Sequence, residues 1–113
     1  MITLSKTVKK TEAKVLTGKD RLDGEVTSGY VGDMLSDVLA HAKKGGLWLT
    51  VQAHPNIVAV AVMKELAGIL LVNGKQPDPE TLAKADEEKV VLMTTRFNSF
   101  QAALKLQDAG LNK

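Results

Sequence analysis

Nine residues at loop-to-helix junctions carry the groups best suited to chemistry in this chain: Thr27, Ser28, Gly29 and Tyr30, then Gln52, His54 and Asn56, then Thr94 and Arg96. Hydroxyls, amides, one imidazole and one guanidinium can hold an anion by hydrogen bonding and charge, most readily where a strand end runs into a helix start. They are poorly suited to making or breaking bonds. Asp86, Glu87 and Glu88 form a charge run with no partner as acid and base, and Ser5, Ser28, Ser36 and Ser99 lack a nucleophile elbow. Gly68 to Lys75 has the glycines of a phosphate loop but the wrong spacing. Gln76 stands where a hydroxyl should bind magnesium, and Ile69 to Val72 reads as apolar strand. No catalytic residue is therefore expected. The chain has no cysteine, and its two histidines share no face: His41 sits four residues from Asp37 as a surface pair, so no metal and no cofactor is expected. Each anion-binding reading has a plainer counterpart. Gly29 suits a tight turn, His54 or Asn56 suits a helix cap, and Arg96 suits solvent.

The elements that must position these groups follow from periodicity. Thr3 to Thr11 is a short helix by its spacing, Ala13 to Thr17 a strand closed by Gly18, and Lys19 to Gly24 a polar loop. Val31, Met34, Leu35, Val38, Leu39 and Ala42 trace one face of a helix, with Asp33, Ser36 and Asp37 opposite and Gly45-Gly46 at its end. Leu47 to Gln52 is a strand containing the single Trp48. Ile57 to Val62 alternates as a strand might, yet Pro55 before it, Gly68 after it and the length between them favour a buried helix. Ile69 to Val72 is a strand closed by Asn73-Gly74, and Asp78 with Pro79 opens the next helix. Val90 to Thr94 is the last strand. Asn98 with Gln101 resembles a capping box, and Gly110 followed by Leu111 predicts a Schellman ending.

An initial helix followed by four strand–helix repeats predicts a single α/β domain over residues 1–113, with a mainly parallel sheet of about four strands flanked by helices. Its expected core contains Val15, Leu35, Leu39, Leu49, Val51, Val60, Leu70, Val91, Leu92 and Leu104. The helix from Ile57 to Leu66 is apolar nearly all round, which predicts a homodimer with small Ala59 and Ala61 at the contact. If the strand exits share one edge, Thr27, Gly29, Tyr30, His54, Asn56 and Arg96 should line one cleft for an anionic ligand, a nucleotide or another phosphorylated metabolite.

Composition narrows the class further. With 44% hydrophobic and 25% charged residues the chain reads as an ordinary globular protein whose core, at 4% aromatics, must be aliphatic. A net charge of +2, scattered lysines and only two arginines, Arg21 and Arg96, argue against a nucleic-acid partner. The longest apolar run, Ile57 to Met63, is far short of a membrane span, and the first ten residues hold no signal-like segment, so a cytoplasmic protein is expected.

The runs EVTSGYVGDMLSDVL, Glu25 to Leu39, and TVQAHPNIVAVA, Thr50 to Ala61, resemble the DRTGG domain family over roughly residues 10 to 111. Against the motif that names the family, Thr27 and Gly29 match, Glu25 keeps the acid, Val26 replaces the arginine, and Ser28 replaces the first glycine. Tyr30-Val31, Asp33, Leu35-Ser36-Asp37 and the run from His54 to Ala61 extend the match. The resemblance implies a regulatory or assembly role as a dimer. Such domains occur beside CBS modules in regulated pyrophosphatases, in phosphotransacetylase-like proteins and as stand-alone proteins. They are also similar to the N-terminal domain of HPr kinase/phosphorylase, whose phosphate loop lies in a separate domain. A ligand-sensing module is the function implied, with an interaction subunit that binds only another protein as the alternative.

Overall fold

The computed structural model describes residues 1–113. Five strands form the main sheet in the order β2-β7-β6-β5-β4, where β2 is Lys14–Thr17, β4 Ser28–Val31, β5 Gly46–Thr50, β6 Gly68–Leu71 and β7 Leu92–Thr94. β4 to β7 run parallel, and β2 pairs antiparallel with β7. A second, two-stranded sheet joins β1 (Ile2–Thr3) to β3 (Glu25–Val26). The expected class holds, with one strand more than the four repeats suggested.

Helices cover both faces. α1 (Leu4–Thr11) and α5 (Ser99–Asp108) lie on one side, where Leu4, Ala102 and Leu106 pack with Leu47, Leu49, Leu70 and Met93. α2 (Leu35–His41), α3 (Asn56–Met63) and α4 (Pro79–Glu87) lie on the other, where Val38, Ile57, Val58 and Ala85 pack with Trp48, Ile69, Leu71 and Leu92. Alternate residues along β5 therefore feed opposite cores, and all five are buried, as a central parallel strand demands.

Three local expectations change. Val31 belongs to β4 and not to the helix: the helix opens at Leu35, because Asp33 is drawn to β5, where its Oδ1 accepts from Thr50 Oγ1 at 2.8 Å and from the Val51 amide at 2.9 Å. Leu104 lies on the outer side of α5 and is 49% exposed; Ala102 and Leu106 take the core positions. The apolar circumference of α3 is mostly consumed inside the chain. Ile57, Val58, Val60 and Ala61 are buried and only Ala59, Val62 and Met63 face out, so Ala61, expected at a dimer contact, is a core residue, as is Val58.

Helix termini follow local chemistry. Asn98 and Gln101 form the reciprocal capping box of α5. The Leu111 amide reaches the Leu106 carbonyl at 3.0 Å and the Gly110 amide reaches Gln107 at 3.0 Å, the Schellman pattern with Gly110 at φ 111°. Asp78 precedes α4 without a side-chain cap. No helix is long and apolar enough to cross a membrane.

Candidate functional site

Topology sorts the nine residues into two groups at opposite edges of the sheet. β4 and β5 begin side by side, Ser28 against Gly46, and run in register to Val31 and Leu49. β2 is antiparallel, so its last residue Thr17 lies beside Leu92 at the edge where the parallel strands start. The loop from Gly18 to Thr27 stays at that edge. Thr27, Ser28 and Gly29 therefore sit at the strand starts, with Tyr30 next along β4. Gln52, His54, Asn56, Thr94 and Arg96 sit beyond the strand ends. The single shared cleft is not formed, because one antiparallel strand moves the first loop to the other edge.

At the exit edge four of the five side chains have partners within the chain. Gln52 Nε2 donates to the Asp33 carbonyl at 2.8 Å, and His54 Nδ1 accepts from the Asn56 amide at 3.3 Å, a turn leading into α3. Thr94 Oγ1 donates to the Lys75 carbonyl at 2.8 Å. Arg96 pairs with Glu12 at 3.0 Å and stacks on Phe97, 4.5 Å from the ring centre. Exposed pairs of this kind hold loops in place and contribute little to stability. None of these five residues lines any of the three cavities of the fold.

The strand-start edge is concave. A cavity of about 410 Å³ is lined by Thr27, Ser28, Gly29 and Tyr30 together with His41, Lys43, Lys44 and Lys113. Lys43 and Lys44 come from the turn between α2 and β5, and Gly45-Gly46 allow that turn to approach β4. Gly45 has φ +78°, and a Cβ there would lie 2.8 Å from Thr27 Oγ1; a Cβ at Gly46 would lie 3.0 Å from Ser28 Oγ. Thr27 Oγ1 donates to the Lys44 carbonyl at 3.2 Å, and the Thr27 amide donates to Gly45 at 3.0 Å. The Gly29 amide donates to the Lys113 main-chain oxygen at 2.8 Å and the Thr27 hydroxyl to Lys44, so the Ser28 hydroxyl and the lysine ammonium groups are the donors of this cavity open to a ligand.

Behind the cavity, the Tyr30 hydroxyl donates to Asp37 Oδ2, while Asp37 Oδ1 lies 3.8 Å from His41 Nε2 one helical turn on. The hydrogen bond to the Asp37 carboxylate, with smaller contributions from desolvation and from the carboxylate's charge, raises the Tyr30 pKa above its ordinary value. A second cavity, about 280 Å³, adjoins across the β4 edge. It shares Gly29, Tyr30 and Lys113 and is otherwise walled by Val31, Leu49, Ala103, Leu106, Gln107, Leu111 and Asn112.

His41, Lys43 and Lys44 were not legible as site residues. In sequence His41 reads as a surface partner of Asp37 and the lysines as scattered charge, and only the β4–β5 register places them opposite Thr27 and Ser28. The available signal was the Gly45-Gly46 pair directly after two lysines.

No curated protein matches the chain. Among solved structures, the CBS and DRTGG domains of the regulatory region of Clostridium perfringens pyrophosphatase, complexed with the activator diadenosine tetraphosphate, superpose with a TM-score of 0.76 at 15% identity, covering 95% of this chain and 46% of that one. That likeness shows the fold, and this chain spans less than half the length of that regulatory region. The DRTGG domain profile matches residues 6–109, nearly the whole length, and the chain belongs to the DRTGG domain family.

Proposed function

We propose that this chain is a non-catalytic regulatory module that senses a nucleotide or another phosphorylated anion and works as a homodimer. The observation that carries the reading is the basic cavity at the strand-start edge, where the segment matching the family motif, Thr27 to Gly29, meets His41, Lys43 and Lys44. The Ser28 hydroxyl and the ammonium groups converging on a concave surface suit a phosphate group. The pyrophosphatase regulatory region that shares this fold was crystallised with a nucleotide activator, which supports testing nucleotides first. The dimer reading is supported by Val62 and Met63, which leave α3 43% and 70% exposed beside exposed Ala59.

A thermal-shift panel of nucleotides and phosphorylated metabolites tests the ligand. A true ligand raises the melting temperature saturably with concentration, because it binds the folded state alone. A panel without any saturable shift at millimolar ligand, on protein shown to be folded, refutes the sensing role. The second reading, a subunit that binds another protein and no small molecule, rests on the outer face of α5, where Phe100 is 73% and Leu104 49% exposed. A null ligand panel together with a partner interaction lost in Phe100→Ser would favour it.

A further inference from the structure

We infer that the two cavities flanking β4 form one bipartite site for a nucleotide, with the phosphates in the basic half and the base in the apolar half. The inference rests on the ligand-sensing reading and deepens it by naming both halves of the ligand and where each lies.

Three observations carry it. The basic half presents Lys43, Lys44, His41 and the hydroxyl of Ser28, and no acidic side chain lines it. The acids nearest to it stand behind its cations: Glu65 is 3.6 Å from Lys44 Nζ, and Asp37 is 3.8 Å from His41. The other half, between the β4 edge and α5, is walled by Val31, Leu49, Ala103, Leu106 and Leu111, with the Gln107 and Asn112 amides at hand for base edges. The halves share Gly29, Tyr30 and Lys113 and adjoin along the exposed edge of β4, where Gly29 itself adds no side chain. Inorganic phosphate would leave the apolar half unused, and a purely apolar ligand would leave the cations unused. A nucleotide uses both.

Calorimetry on the full chain with ATP, tripolyphosphate and adenosine separates the contributions. Three variants serve: Lys43→Gln with Lys44→Gln, Ala103→Trp to fill the apolar half, and Gly29→Val, whose Cβ would face Leu111 at 3.6 Å, to narrow the apolar half where it adjoins the basic one. Ala103 and both lysines are exposed, so the changes there leave the core untouched. The expected results are ATP tighter than either fragment, and loss of about tenfold or more of ATP affinity in the double lysine variant, the scale of lost charge-assisted hydrogen bonds. Tripolyphosphate should be weakened by the lysine changes and indifferent to Ala103→Trp, with adenosine showing the reverse. Gly29→Val should weaken ATP and spare tripolyphosphate. ATP that does not bind, or that binds no tighter than tripolyphosphate and ignores Ala103→Trp, overturns the bipartite site. If another phosphorylated metabolite shifts the melting temperature yet ignores all three variants, the sensing role stands and this location falls.

Discussion

Val58→Asp is the change that the apolar run from Ile57 to Leu66 suggests for breaking a dimer, and the structure makes it a test of the core instead. Val58 is fully buried among Trp48, Ile57, Ile69 and Leu71. Losing the buried valine costs about 1.5–3 kcal/mol. Burying a carboxyl group without a partner costs roughly 2–7 kcal/mol more, even in its neutral form. The combined loss of about 4 kcal/mol or more compares with a total stability of roughly 5–15 kcal/mol for a domain of this kind. Val62→Asp, one turn on at a 43% exposed position, should stay within about 0.5 kcal/mol. Urea denaturation followed by Trp48 fluorescence reads both, since Trp48 is buried in the same cluster with its Nε1 donating to the Gly32 carbonyl at 2.7 Å. With a urea slope of about 2 kcal/mol per molar, Val58→Asp should lower the midpoint by about 2 M or leave no folded baseline. A Val58→Asp chain with the parent midpoint, alongside a collapsed Val62→Asp, would refute this orientation of α3. The dimer is then tested by sedimentation of Val62→Asp with Met63→Asp; an unchanged dimer would exclude the α3 surface as its contact.

Tyr30 is the sole tyrosine, so its ionisation can be followed by phenolate absorbance. It should titrate above the ordinary value near 10.0, and Asp37→Asn should bring it back down. Because the folded-state pKa is the raised one, the stability this contact contributes is complete below pH 10.0 and is lost as pH climbs through the raised value. Tyr30→Phe should flatten that alkaline loss in melting curves. Lys89 follows α4 at φ 58°, where a left-handed residue costs about 1–2 kcal/mol and glycine costs about 0.5–1 in chain entropy, so Lys89→Gly should stabilise by about 0.5 kcal/mol. Lys89→Val should do the opposite in the same denaturation assay. Leu106→Ala should cost about 2–5 kcal/mol, and Leu104→Ala should cost far less despite sitting on the same helix.

Local signals carried much of this protein. The strands near Ala13, Leu47, Ile69 and Val90, the capping box at Asn98 and the glycine ending at Gly110 depend on neighbouring residues, so periodicity and cap chemistry suffice to read them. The exposure of Leu104 was less legible, because a helix with weak amphipathy does not declare which stripe faces the sheet. Strand β4 was hidden for a related reason. Four residues, one of them glycine, make no pattern by themselves, and they become a strand only through pairing with Gly46 to Leu49. The site depended most on tertiary structure. Whether a loop lies at the starts or the ends of parallel strands is set by the direction of each strand. One antiparallel strand, β2, is enough to carry Thr27 to Gly29 away from His54 and Arg96 and bring them to Lys43 and Lys44. Strand direction is decided by which edge offers a partner and which face needs cover, a long-range choice that no local run of residues encodes.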